Sequence, residues 1–188
     1  MRNAGLVLMA ALAVPTSGGA AECYVPEVGA SSLRFTATQR GEPFEGRFRV
    51  FDGRFCLDPA APEAGRIELR VLTDSADSGL PEADMALRSA LFLDSTAHPE
   101  AVFTGAAIRP LGGDRYEVTG TFALREGVCE LTVPFVFRPL PGEDAWMLEG
   151  ETSIRRLAYG VGIGEWLDTQ FLDDVVQLHF AVKLRPAP

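Results

Sequence analysis

Tyr116–Phe137 reads YEVTGTFALREGVCELTVPFVF. Tyr116, Val118, Phe122 and Leu124 alternate with Glu117, Thr119 and Thr121. Arg125-Glu126-Gly127 then interrupts, and Leu131, Val133, Phe135 and Phe137 resume a period of two. Alternation of this kind marks a strand with one face in a core, and two such runs around a short glycine-bearing turn read as a hairpin. The pattern spreads in both directions. Ile67, Leu69 and Val71 oppose Glu68 and Arg70; Trp146, Leu148 and Ile154 share a face; Val176, Leu178, Phe180, Val182 and Leu184 oppose Gln177, His179 and Lys183. Turn signals separate these runs at 40–43, 58–65, 111–114, 125–127 and 139–142.

The spacing predicts about eight strands, near 32–39, 44–56, 66–73, 100–109, 114–124, 128–138, 145–155 and 173–185. With one apolar face and short connections the fold is all-β, an antiparallel meander. Closing it into an up-and-down barrel removes the exposed edges. Two connections are long, 74–99 and 156–172. The first carries one helical piece, Pro81 to Phe92, with proline at a favoured first position and Ala83, Leu87, Ala90 and Leu91 as an apolar stripe.

Up-and-down connectivity fixes which turns share an end. Both long connections join the turns at 40–43 and 125–127 at a first mouth. The turns at 57–65, 110–113 and 139–144 lie at a second, with the N-terminus. Cys23 and Cys56 meet at the second mouth and Cys129 starts a strand at the first. Because a bridge needs Cα atoms within about 7 Å, the pairing is Cys23–Cys56, with Cys129 free.

The chain has 188 residues, enough for one domain, and 47% hydrophobic with 23% charged residues is an ordinary globular balance. Seventeen basic against 26 acidic residues give a net charge of −9, which disfavours nucleic acid and anionic headgroups. Residues 1–21 have the layout of a secretory signal peptide: Arg2, an apolar run from Ala4 to Val14, Pro15, and Gly19-Ala20-Ala21 as a cleavage site. At about 11 residues the run is too short to span a bilayer, and Glu22 stands where a lipoprotein signal needs a small residue. The expectation is an exported, soluble, periplasmic domain over 22–188.

Several strings together resemble one family. MALRSALFLDSTAHPEAVF (Met85–Phe103) is similar to its Leu-Arg-Ser helix followed by a Pro step into a strand. IRRLAYGVGIGEW (Ile154–Trp166) is similar to its Arg-x-x-Phe-Gly loop, and DDVVQLHFAVKL (Asp173–Leu184) to its final strand. FEGRFRVFDGRFCLDP and VTGTFALREGVCELTVPFVF resemble its second, fifth and sixth strands. On these marks the chain is identified as a member of the YceI-like, polyisoprenoid-binding family, from about Tyr24 to Leu184. The resemblance implies a lipocalin-like eight-stranded barrel, usually periplasmic, holding a long isoprenoid or similar amphipathic lipid. The sequence departs from the pattern at Tyr159, where phenylalanine is usual, in a shorter turn at Gly127-Val128, and in its cysteine pair.

Phe35, Phe48, Phe103, Tyr116, Phe122, Phe135, Phe137, Trp146 and Phe180 fall on inward faces and are the expected tunnel lining for an apolar chain. Arg88, Arg155 with its neighbour Arg156, Tyr159 and Trp166 flank the first mouth, where a headgroup would emerge; the arginines could grip a phosphate or quinone oxygen, or lock the connections through Asp84, Asp94 or Asp168. The expected function is sequestration or carriage of a polyisoprenoid or isoprenoid quinone, with no metal or further cofactor. A small-substrate enzyme on the same barrel, or a packed barrel acting through surface partners, are the alternatives. The sequence carries no GxSxG, Walker, Rossmann or zinc-helix motif. Ser89, Asp94 and His98 fit better as parts of a connection than as a triad, and Gly160, Gly162 and Gly164 as close packing over the mouth.

Overall fold

A computed structural model describes residues 22–188. Its one sheet contains β1 (Cys23–Pro26), β2 (Ser32–Gln39), β3 (Glu42–Phe48), β4 (Phe51–Cys56), β5 (Arg66–Leu72), β6 (Ala76–Asp77), β7 (Glu100–Gly112), β8 (Arg115–Leu124), β9 (Gly127–Pro139), β10 (Trp146–Arg155) and β11 (Val175–Pro186). All pairings are antiparallel, and the sheet closes because β1 bonds both β4 and β11. With β1 and β2 as halves of one strand, β3 and β4 as halves of another, and the two-residue β6 set aside, this is the expected eight-stranded up-and-down barrel, lipocalin-like in architecture, with a single α-helix among the described residues, α1 (Pro81–Arg88). The expected signal peptide at 1–21 lies outside the described residues.

The hairpin of β8 and β9 runs in register from Arg115 opposite Val136 to Leu124 opposite Gly127. Arg125 takes a left-handed conformation at the turn (φ 52°). Inward faces alternate with solvent-facing polar positions on every long strand, so the core follows the barrel axis.

Three local readings are corrected. The predicted strand 44–56 breaks at Arg49–Val50, where Ser75 accepts the Arg49 amide and Leu72 donates to the Val50 carbonyl. The upper half therefore pairs with β2 and the lower half with β1 and β5. The helix stops at Arg88 and not Phe92: Ser89 is extended and both its amide and its hydroxyl bond the Ala86 carbonyl. Ala90 and Leu91 are consequently exposed, while Phe92 and Leu93 turn inward. This turn, and not the helix, packs into the first mouth, and no residue of α1 is fully buried. Finally, β7 runs to Gly112 with irregularities after Gly105 and Pro110.

The two ends are assembled as the connectivity requires. At the first mouth the Arg40 amide bonds the Phe171 carbonyl (2.9 Å), and Arg125 Nη1 reaches the carbonyls of Phe92 and Gly160. At the second, Cys23 and Cys56 are cross-strand partners joined by a disulfide (Sγ–Sγ 2.01 Å), and Cys129 is free.

Candidate functional site: an apolar bore between a plug and a lid

The interior is not filled. An upper cavity of about 140 Å³ lies beneath the first mouth, and every atom it exposes is apolar. Phe35, Phe44 and Phe48 line one side, Leu124, Ile154 and Val176 the other, and Leu87, Phe92, Val161 and Leu172 the roof. A lower cavity of about 90 Å³ is bounded by Phe51, Phe55, Phe103, Leu131, Phe135, Phe180 and Val182, with Thr152 its one polar residue. Leu33, Leu69, Phe122 and Leu178 line both, forming a waist between the two parts of an apolar bore.

Six of the nine expected tunnel aromatics, Phe35, Phe48, Phe103, Phe122, Phe135 and Phe180, line this bore. Tyr116, Phe137 and Trp146 are placed below it. Phe137 and Trp146 stack at 4.4 Å, and Tyr24 meets them edge-on at 5.8 and 6.0 Å. Tyr116 stacks on Phe135 at 5.6 Å. Together with fully buried Leu57 and Leu184 they plug the second mouth, so the bore stops short of the full barrel length. Tyr24 donates to Glu22 Oε2 (2.8 Å), and burial, reinforced by that carboxylate, pushes its hydroxyl pKa upward.

The opposite end is a lid made by the two long connections. The amides of Gly162 and Ile163 both bond the Leu91 carbonyl (2.8 and 3.0 Å). Trp166 packs between Phe92 (5.1 Å) and Phe171 (5.2 Å), and the Arg40 guanidinium sits 4.3 Å over the Phe171 ring. Beneath them lies Arg156, only 2% exposed. Its Nε donates to the Asp173 carbonyl, Nη1 to those of Val161 and Gly162, and Nη2 to those of Trp166 and Leu172, at 2.6–3.0 Å. Every guanidinium N–H is thereby used on backbone. Burial pulls its pKa below the usual value, with Asp174 and Asp173 opposing. Gly162 is left-handed (φ 78°), and a Cβ there would run into Arg156 Nη1, so the position needs glycine.

The other mouth residues divide. Tyr159 is buried against Phe122 (5.3 Å) beside the Cys129 thiol; burial first, then that thiol, pushes its pKa up to about 12. Trp166 belongs to the lid. Arg88 is exposed and ties α1 to the Ala76 carbonyl (2.8 Å). Arg155 is exposed, with Nη1 3.6 Å from Asp174 Oδ2. Ser89, Asp94 and His98 serve the connection: the Ser89 hydroxyl bonds Ala86, Asp94 turns left-handed (φ 47°), and His98 Nε2 lies 3.8 Å from Glu126. His179 faces outward towards Glu151. Arg156, expected beside Arg155 either to grip a headgroup or to lock the connections through an aspartate, binds five backbone carbonyls instead. Two consecutive arginines at a strand end point to opposite faces, and the pattern alone does not say which goes in.

Residues 24–184 match the YceI-like domain. The chain belongs to the YceI-like family. An Azotobacter vinelandii UPF0312 protein is 35% identical over 121 residues, 62% of this chain and of that protein, so that match spans a little under two thirds of each. A Shewanella denitrificans UPF0312 protein is 33% identical over 142 residues, 74% of each chain. Among solved structures, Burkholderia cenocepacia BcnA superposes with a TM-score of 0.81 at 28% identity, covering 84% of this chain and 98% of BcnA. A polyisoprenoid binding domain from Saccharophagus degradans gives 0.70 at 15% identity, over 89% and 99%, a likeness of fold. This YceI-like barrel carries the plug, lid and disulfide described above.

Proposed function

We propose that this YceI-like protein is an exported, non-enzymatic binding protein that takes the tail of an isoprenoid lipid or isoprenoid quinone into its bore. One observation carries the reading: two cavities lined almost wholly by apolar side chains, with four of those side chains common to both. Each methylene moved from water into such a space contributes about 0.8 kcal/mol, so a long branched tail binds without any charged contact inside. The polar groups of the lid are largely spent on one another, which leaves the headgroup to the rim near Arg88, Arg155 and Trp166. The Saccharophagus domain's description as polyisoprenoid binding supports the choice of ligand class. The Cys23–Cys56 disulfide and the layout of residues 1–21 support an oxidising, periplasmic setting.

The test is organic extraction of the purified protein followed by mass spectrometry, then titration of delipidated protein with a polyprenol and with a long-chain quinone. Co-purified lipid, or saturable uptake that Phe135→Glu abolishes, is the expected result. Recovering no lipid and seeing none taken up refutes the reading.

A further inference from the structure

The outer wall carries a row of ionisable side chains that the fold leaves unbalanced. Glu151, His179, Arg34, Arg47 and Asp77 are successive cross-strand partners over β10, β11, β2, β3 and β6. Arg34 therefore stands directly opposite Arg47, a like-charge pairing that destabilises a sheet. Arg49 converges on the same place: Asp77 Oδ2 accepts from Arg47 Nε at 2.8 Å and lies 2.7 Å from Arg49 Nη2. Glu151 is engaged with His179 at 3.6 Å. Two guanidiniums thus share a single carboxylate, with that of Arg34 beside them. Arg34 itself is exposed and has no hydrogen-bond or ion-pair partner among the described residues; Glu45, further along the same face of β3, forms no ion pair with it.

Beside this row a cleft of about 550 Å³ opens where β3 and β4 part, lined by the three arginines and by Leu33, Phe48 and Phe51. Leu33 and Phe48 also line the upper cavity, and Leu33 and Phe51 the lower one. The same side chains front the cleft and the bore, so the barrel wall here is one side chain thick. In a chain of net charge −9 this is a local excess of positive charge with an apolar floor.

We propose that Arg34, Arg47 and Arg49 form an anion site on the barrel wall for a phosphate-class group, a monophosphate or diphosphate. Arg34, Arg47 and Arg49 outnumber the carboxylates of Asp77 and Glu45 beside them, and guanidinium forks suit phosphate oxygens. Bound there, the anion replaces Arg34–Arg47 repulsion with shared charge-assisted hydrogen bonds. Its source is either a free phosphate or the head of a prenyl lipid lying on Leu33, Phe48 and Phe51; only the second rests on the lipid-binding reading above.

Calorimetry at low ionic strength with inorganic pyrophosphate, farnesyl diphosphate and farnesol tests the site and separates its sources. Arg34→Gln should weaken both diphosphates roughly tenfold, and Arg109→Gln, which removes equal charge beside Glu117 on another part of the wall, should not. Equal affinity for pyrophosphate and farnesyl diphosphate assigns the site to the free anion; tighter farnesyl diphosphate binding assigns it to a lipid head. Farnesol reads the bore alone: its failure to bind counts against lipid carriage and leaves the anion site standing. The proposal is overturned if neither diphosphate binds above matched potassium chloride, or if Arg34→Gln binds both as the wild type does.

Discussion

Replacing Arg156 with leucine removes the side chain that gathers the second long connection, 156–172, over the barrel. Five backbone carbonyls, those of Asp173, Val161, Gly162, Trp166 and Leu172, lose their donor together. A buried polar group left without a partner costs about 1–3 kcal/mol. Some of these carbonyls regain water as the lid loosens, so the expected loss is about 4–5 kcal/mol, well below the simple sum at mid-range. For a domain of this size that corresponds to roughly 10–15 °C in the melting temperature. Arg156→Lys keeps the charge but has three donors in place of five, and should recover only part of the loss. The site of damage is also specified. Hydrogen exchange should accelerate at Gly162 and Ile163, whose amides bond Leu91, while the β8–β9 ladder keeps its protection. A leucine variant melting within about 3 °C of the wild type, with unchanged exchange over 156–174, refutes the argument that Arg156 organises the lid. Full rescue by lysine would mean that charge, and not the five-way geometry, is what counts.

Other outcomes are equally measurable. Opening the Cys23–Cys56 bridge, which closes a 33-residue separation, should cost about 3 kcal/mol in chemical denaturation without changing lipid uptake, because the bridge lies at the plugged end. Leu178→Trp should obstruct the waist between the two cavities; long isoprenoid tails are then excluded while short ones still enter, read by a chain-length series in a fluorescence displacement assay. Tyr159, with its folded pKa raised to about 12, contributes stability that is complete below pH about 10 and lost as pH rises through the folded value. Melting curves between about pH 9 and pH 12 should therefore fall more steeply for the wild type than for Tyr159→Phe. Asp77 acts in the opposite direction. Arg47 foremost, and then Arg49, hold its carboxyl below the usual range against the opposing effect of burial, so its contribution is present above the ordinary carboxylate pKa and disappears on acidification. Asp77→Asn should flatten that acid limb.

The barrel was legible because each strand repeats the same physical instruction, apolar in and polar out, and pairing partners need not be known to read it. Connectivity then located both ends and predicted the cysteine pair. What escaped was set by contacts distant in sequence. Nothing in FEGRFRVFDGRF marks a break at Arg49–Val50, because Ser75 and Leu72 supply the hydrogen bonds that make it. The stripe that carried the helix on to Phe92 was real in composition, yet Ser89 ended it by bonding back to Ala86. Inward-facing aromatics were recognisable as a set. Whether each bounds space or fills it depends on Tyr24, a residue of a four-residue strand too short to betray itself by periodicity. Arg34 looked like an ordinary polar position on the outer face until the register set it opposite Arg47.

The short β1 strand has a practical consequence for handling the molecule. It lies between β4 and β11, and its Cys23 carbonyl accepts the Ala187 amide at 2.8 Å, so Glu22 and the C-terminal residues emerge side by side at the disulfide-bonded pole. An affinity tag, a reporter or a solid support attached at either point sits a barrel length from the lid. Immobilised in this way, molecules present their loops outward in a common orientation, and cargo exchange can be followed on a sensor surface with no steric interference from the attachment.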